Sequence, residues 1–369
     1  MKIGVDAFSI EGNRTGVGNY TYFNILYMVR NNPSVDFYLF SKDNLHEFEN
    51  YPNVHNIKSS FRSKKLRGTI WLLYIAFLLN RYNFDIFWSP NFFTPMWIPK
   101  KTRVISTVMD LSPLAFPNFT NKKTKNSFNV NLPRTLKRSD TIIAISDFTK
   151  SEIIKYYPKT NADKIRVNYV GYDDNNVSDT LIENNSIRKK YNIEKKFILS
   201  LSSLVPRKNT ITLVKAFNEV LKKDNDYNLV LVGRKDIDTG ELSRFIFDNN
   251  ISDRVIFTDF IPDSEILWFY KNCDIYVSTS LYEGFGIPNI EAYISVKRML
   301  ISDIPVYREI FEELVEYFNP LDVIELSNKI LNTPELIKKS DFLIKFNWES
   351  IASKTFEILI GSKENEKFN

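Results

Sequence analysis

"SLYEGFGIPNIEAY" (280–293) gathers two glutamates, two glycines and a proline into one short stretch. It continues from "DIYVSTS" (274–280), a short apolar run rich in strand-forming residues. Pro288 suits the first turn of a helix, where its missing N–H is no loss, so the whole reads as strand, loop, helix. Gly284 and Gly286 allow the backbone to come close to a ligand. The following helix N-terminus presents free N–H groups and a positive dipole end, which favour an anion such as phosphate. Glu283 lies at the carboxyl end of the strand, and Glu291 falls eight positions later, near the first turn of the helix. A carboxylate is acceptor-only and takes two hydroxyl donors at once. Two carboxylates flanking an anion site suit a ligand with both phosphates and polyols, the combination found in a nucleotide-sugar. On spacing alone, a loop glutamate and a glutamate that merely complements the helix dipole fit equally well.

The same alternation runs along the chain. In the first half, strands are expected at "KIGVDAF" (2–8), "VDFYLFS" (35–41), "FDIFWS" (84–89), "RVISTVMD" (103–110), "TIIAIS" (141–146) and "IRVNYV" (165–170). Helical spacing occupies 19–30, 66–81 and 124–137 between them. A polar interval, "GYDDNNVSDTLIENNS" (171–186), then interrupts the pattern. It restarts with strand "FILSLSS" (197–203), a helix from about 209, and strands "NLVLVG" (228–233) and "RVIFTDF" (254–260). A helix at 264–272 leads into the opening stretch. Near-continuous apolar strands alternating with helices imply parallel sheets covered on both faces. The expectation is two doubly wound, Rossmann-like α/β domains facing across a cleft. They span 1–172 and 187–346, with 173–186 as linker and a final helix at 347–369. Ligands of such domains bind outside the carboxyl ends of the strands.

Length and composition agree with this. A chain of 369 residues exceeds one small core, and 43% hydrophobic with 25% charged residues is a globular balance. One cysteine, Cys273, excludes an internal disulfide framework and fits a reducing compartment. With only two histidines beside it, a zinc site of nitrogen and sulfur ligands is not expected, and no metal is assigned. The net charge of +5 is concentrated in "RSKKLR" (62–67) and "NKKTKNSFNVNLPRTLKR" (121–138). The apolar run "TIWLLYIAFLL" (69–79) is about half the length of a bilayer-spanning helix. Beside a basic stretch, it fits either an ordinary helix packed on a core or a face that sits on an anionic membrane. Met1 and Lys2 lead straight into a strand with no signal-peptide core, so the expected location is the cytoplasm, with the inner membrane face as a docking surface.

Three further segments bear on function. "SLVPRKN" (203–209) follows the first strand of the second domain and places Arg207 and Lys208 at its carboxyl end. Fixed cations there would stabilise the charge that develops on a departing diphosphate. "EGNRTGVGNY" (11–20) reads as a glycine loop between the first strand and the first helix. It fails as a dinucleotide fingerprint, because Gly16 and Gly18 lack a third glycine at Thr21. "STVMDLSPLAFP" (106–117) places Asp110 at a strand end, where an aspartate either orients a ligand or forms a turn.

"YKNCDIYVSTSLYEGFGIPNIEAY" (270–293) resembles, over its whole length, the Glu-x7-Glu signature of the retaining GT-B glycosyltransferases, glycosyltransferase family 4 in particular. "PRKN" (206–209) resembles the matching segment of that family, and the likeness spans nearly the whole chain, from the glycine loop to "FNWESIASKTFEIL" (346–359). The resemblance implies that Glu283 contacts the donor sugar, Glu291 the nucleotide ribose, and Arg207 and Lys208 the diphosphate. It further implies that the backbone at Phe285, Gly286 and Ile287 lies near sugar hydroxyls and phosphate. Gly233, ending its strand, joins the donor site. Gly16 and Gly18, with Asn19 as a weaker candidate, would approach donor phosphates and acceptor from the first domain, and Asp110 would orient the acceptor. The last helix would return from the second domain to pack on the first.

Departures from the family pattern are informative. Met109 stands where the family usually has the histidine of a His-Asp pair, and it can supply neither proton transfer nor a hydrogen-bond donor. "YISVKRMLIS" (293–302) lacks the usual Gly-x-Pro, so Lys297 and Arg298 leave the local loop geometry open. "VGYDD" (170–174) replaces the usual linker sequence, and Asp173 and Asp174 read as a solvated turn and not as a metal pair. Cys273 reads as packing. The "PRKN" and "SLYEGFG" pattern is most similar to mannosyltransferases, so the implied reaction moves a hexose, mannose from GDP-mannose first, to a saccharide or lipid-linked saccharide hydroxyl in polysaccharide or O-antigen assembly. It would proceed with retention, without metal or other cofactor. A UDP-hexose-dependent enzyme of the same fold, a phosphorylase and a catalytically impaired sugar-nucleotide binder are the alternatives. No nucleic-acid partner is expected, since the basic residues match no nucleic-acid module.

Overall fold

The computed structural model describes residues 1–12, 14, 16–59, 68–172, 184–233, 240–259, 261–338 and 340–361. The basic run 62–67, Asp173 and Asp174 lie outside them. The chain divides into two compact units, Met1–Gly171 with Leu343–Asn369, and Tyr172–Phe342.

The first unit is built on seven parallel strands, β1 (Lys2–Asp6), β2 (Asp36–Ser41), β3 (Val54–Lys58), β4 (Ile86–Ser89), β5 (Arg103–Val108), β6 (Thr141–Ala144) and β7 (Ile165–Val167), in the order β3-β2-β1-β4-β5-β6-β7. Ile3, Val5, Phe37, Leu39, Phe87, Ile105 and Ile142 are fully buried. Each such side chain contributes about 1.5–3 kcal/mol by leaving water. The sequence reading passes over β3, because VHNIK is a half-polar edge strand, half-buried along most of its length. Only a strand covered on both faces has to be apolar throughout.

The C-terminal helix Trp348–Ile360 belongs to this first unit. Asn347 opens it by accepting hydrogen bonds from the Glu349 and Ser350 N–H groups. The Trp348 ring stacks on Phe23 at 5.2 Å, and Thr355 Oγ1 joins Asn24 Oδ1 at 2.6 Å. Asn168 Nδ2 donates to Thr355 Oγ1 and to the Ile351 carbonyl at 2.8 and 3.0 Å.

Six parallel strands form the second unit's sheet: β8 (Lys196–Leu201), β9 (Tyr227–Val232), β10 (Val255–Asp259), β11 (Ile275–Ser278), β12 (Met299–Ser302) and β13 (Glu316–Phe318). Their order is β10-β9-β8-β11-β12-β13, so the winding direction reverses between β8 and β11. At that reversal the connections leave on opposite faces and a crevice opens at the carboxyl ends of the two strands. β9, β11 and β12 are buried at every residue. On one face, Leu213, Val214, Phe217 and Val220 of helix Thr210–Lys223 join the core with Ile198 and Leu229. The expected linker falls mostly outside the described residues, and its last three positions, 184–186, are already in helix Asn184–Lys190.

Candidate active site

The crevice between β8 and β11 is where the two charged motifs meet. After β8 the chain makes a single 3-10 turn, Pro206–Lys208, and reverses at Asn209 in the left-handed region (φ 54°). Asn209 is held there by its Nδ2 donating to the Pro320 carbonyl at 2.7 Å and by Thr212 Oγ1 donating to its Oδ1 at 2.9 Å. After β11 the chain runs alongside this turn. The Leu281 N–H donates to the Arg207 carbonyl at 2.8 Å, and Thr279 Oγ1 to the Lys208 carbonyl at 2.8 Å. These bonds fix the register of Arg207 and Lys208 against Glu283.

Glu283 is buried, with 7% of its surface exposed. Arg207 Nη1 donates to its Oε2 at 2.9 Å and to the Tyr282 carbonyl at 3.1 Å. Lys208 Nζ pairs with Glu283 Oε1, which also accepts from Ser280 Oγ at 2.8 Å. Burial alone would raise the carboxyl pKa, but Lys208, Arg207 and the Ser280 hydroxyl outweigh it and hold Glu283 at about 2. The carboxylate is therefore ionised at neutral pH.

Gly286 closes the loop at φ 95° and caps helix Ile287–Ser295. A Cβ on it would stand 2.8 Å from Tyr307 Cε1, so glycine is required here by conformation and by space. Ile287 is the first helical residue, and Phe285 is buried beneath the loop. Asn289, also buried, accepts from Tyr276 Oη at 2.8 Å, while its Nδ2 finds no hydrogen-bond partner. Ser202, Lys208, Thr279, Glu283, Gly286 and Asn289 line a small hollow at this point. Ser280, Asn289, Tyr276 and Tyr307 were not singled out from sequence. Only Ser280, three residues before Glu283, gave a local cue.

The remaining candidates divide between the units. Glu291 is the fifth residue of its helix, near the first turn as expected, and its Oε2 accepts from Tyr270 Oη at 3.3 Å. Gly233 follows β9 at φ 140°, and a Cβ there would fall 2.2 Å from the Ser202 carbonyl, so its smallness serves the protein's own backbone. In the first unit, Gly16 and Gly18 are not in a loop: they begin helix Gly16–Asn31. A Cβ on Gly18 would meet the Ser9 carbonyl at 2.6 Å, again a packing requirement. Asn19 follows in the same first turn. Asp110 forms a turn, its Oδ1 accepting from the Ser112 N–H at 2.8 Å. Met109 is buried.

The two departures near the second glutamate have structural explanations. Arg298 donates to the Thr333 and Ile330 carbonyls, both at 2.7 Å, capping the end of helix Val323–Asn332, and its Nη1 pairs with Asp274 at 2.8 Å. Lys297 accepts at its carbonyl from the Leu336 N–H at 2.8 Å. Cys273 is buried, its Sγ donating to the Tyr270 carbonyl at 3.3 Å, and burial pushes its pKa up, away from nucleophilic use. Among the described residues, no group of three or more His, Cys, Asp or Glu side chains is placed to hold a metal ion.

Residues 183–369, half of the chain, match the family described as Glycosyl transferases group 1, and residues 14–176 match Glycosyltransferase Family 4. The chain is a family 4 glycosyltransferase. Over 349 residues the enzyme is 28% identical to the O-antigen chain mannosyltransferase RfbU of Salmonella typhimurium, covering 90% of this chain and 91% of that protein. It is 25% identical to the O-antigen chain mannosyltransferase B of Escherichia coli, over 70% and 67% of the two chains. Among solved structures, Anabaena HepE in complex with UDP and glucose superposes with a TM-score of 0.66 at 19% identity, over 98% and 96% of the chains. The lipopolysaccharide glycosyltransferase WaaG superposes with a TM-score of 0.67 at 12% identity, over 98% and 100%. The glycosyltransferase thus has the GT-B fold.

Proposed function

We propose that this glycosyltransferase moves mannose from GDP-mannose to a hydroxyl of a saccharide or lipid-linked saccharide during polysaccharide assembly, with retention of anomeric configuration and without a metal ion. The observation that carries the reading is the trio at the β8–β11 crevice: one buried, ionised Glu283 bound by two adjacent cations beside a helix N-terminus. Glu283 offers two acceptor oxygens to sugar hydroxyls. Arg207 and Lys208, mostly withdrawn from water, stabilise charge on the leaving diphosphate as the sugar–oxygen bond breaks. That is the task a divalent cation performs elsewhere. The N-terminus at Gly286 and Ile287, over Phe285, faces the same anion. Glu291 takes the ribose, and Gly233 holds the loop beside Ser202. Gly16, Gly18 and Asp110 serve the acceptor side from the first unit. Mannose and O-antigen assembly are carried over from the names of RfbU and the mannosyltransferase B.

A lipid-linked acceptor accords with exposed apolar side chains of the first unit. Ile70, Leu73 and Phe77 of helix Thr69–Arg81 are 53%, 40% and 64% exposed at helical spacing, and Trp97 is 62% exposed. Among the described residues no helix is long and apolar enough to cross a membrane. The reading is therefore of peripheral contact at an anionic bilayer, tested by co-sedimentation with phosphatidylglycerol vesicles before and after Phe77→Glu.

The reaction itself is tested by transfer from GDP-mannose, UDP-glucose and ADP-glucose to a lipid-linked saccharide, with and without a chelator. Mannose transfer that survives chelation, gives the α-product from the α-donor, and is lost in Glu283→Ala and Arg207→Ala is the expected result. Full activity in either variant overturns the site. Transfer from a UDP-sugar alone moves the donor to the second reading.

A further inference from the structure

The cations proposed for the diphosphate are already engaged by a carboxylate of the protein itself. Each oxygen of Glu283 already holds one of them, Arg207 on Oε2 and Lys208 on Oε1, and Ser280 Oγ adds a neutral donor to Oε1. Glu283 is only 7% exposed, so water is a poor substitute for a donor that is withdrawn. Burial first, and then neighbouring charges that include Glu283, push the Tyr276 and Tyr307 hydroxyls well up.

We infer that Glu283 is the internal counter-ion of the diphosphate subsite, and that it thereby makes the site prefer an intact sugar nucleotide over the spent nucleoside diphosphate. This rests on the assignment of Arg207 and Lys208 to the diphosphate. An incoming diphosphate draws their N–H groups toward itself and leaves Glu283 short of donors in a buried setting, an arrangement that strongly opposes binding. A sugar attached to that diphosphate brings hydroxyls that donate to the vacated carboxylate oxygens. Free nucleoside diphosphate brings none. After transfer the sugar has gone, Glu283 reclaims the two cations, and the product nucleotide is expelled by the residue that helped to hold the donor.

The test is calorimetric titration of the full-length protein with GDP, GDP-mannose, UDP, UDP-glucose and inorganic pyrophosphate, for wild type and Glu283→Gln. Glutamine keeps the size and the acceptor for Ser280 but removes the charge. The expected result is at least tenfold tighter binding of the free nucleoside diphosphate and of pyrophosphate by Glu283→Gln, with no gain for the sugar nucleotide. Equal or weaker diphosphate binding in a variant that melts like wild type overturns the inference, because Glu283 would then be arranging the cations and not competing for them. One arm needs no variant: wild type that holds GDP and UDP as tightly as their sugars overturns it as well. Wild type that binds none of the five ligands overturns the nucleotide-sugar reading, and this inference with it.

Discussion

Two buried carboxylates follow opposite logic. Glu283 has two cations and is held at about 2. Asp6, at the end of β1, has neutral donors, Trp71 Nε1 at 2.9 Å and the Phe8 N–H at 3.2 Å. Burial dominates there and, with the Glu11 charge nearby, raises Asp6 to about 6. The folded protein takes up this proton more readily than the unfolded chain, so Asp6 lowers stability progressively as pH rises from 3.8, and fully above about 6. Across the shift from 3.8 to about 6 the effect is about 3 kcal/mol at 1.36 kcal/mol per pH unit. Asp6→Asn, which can still accept from Trp71, is expected to raise the midpoint of urea unfolding at pH 7.5 and leave it unchanged near pH 4. An equal gain at both pH values would show that charge is not the cause. Glu283 acts in the other direction: its contribution is complete above its unfolded value near 4.5 and fades as pH falls toward 2.

At the scale of elements, the turn joining β11 to its helix depends on one glycine. Alanine at 286 would have to accept φ 95° and a Cβ 2.8 Å from Tyr307, which costs about 1–3 kcal/mol. Because the strain falls at the helix N-terminus, Gly286→Ala should lose nucleotide affinity as well as stability, measured by calorimetry and urea unfolding together. Arg298→Ala is the contrasting case. It leaves the helix Val323–Asn332 carbonyls without their cap, at a cost of about 2–3 kcal/mol for the lost charged hydrogen bonds, with the nucleotide Kd unchanged. The first effect was readable in the sequence, because a Gly-Phe-Gly between strand and helix signals unusual backbone locally. Arg298 was not, because its partners are Asp274, Ile330 and Thr333, which no local pattern connects. The same division explains the strands. The buried runs β9 and β11 announce themselves, whereas β13, three residues long with Glu316 exposed, carries too little pattern to be seen. Gly16 and Gly18 read as loop because glycine is a poor helix former. Tertiary packing of Gly18 on the Ser9 carbonyl overrides that preference.

At the scale of the molecule, chain order and spatial order part company at the C-terminus. Helix Trp348–Ile360 follows the second unit in sequence yet is part of the first. Trp348 is buried against Phe23 and Tyr20, and a Cβ on Gly171 would fall 2.3 Å from its ring. Asn168, Asn24 and Thr355 form a buried polar chain that needs the helix for its completion. Without it, the Tyr20 and Phe23 rings that Trp348 covers are opened to water, and losing that apolar burial is costly. Trp348→Ala should therefore destabilise the first unit by about 3–5 kcal/mol, the usual range for removing a large buried aromatic side chain. A chain ending at Phe342 should do so more severely. Hydrogen exchange read by mass spectrometry distinguishes the units: protection is expected to fall in helix Gly16–Asn31 and in β1 and β4, while β8, β9 and β11 keep theirs. Uniform loss across both sheets would mean that the stability of the second unit depends on the first. Full protection in the shortened chain would mean that the helix contributes nothing that Phe23 and Asn24 require.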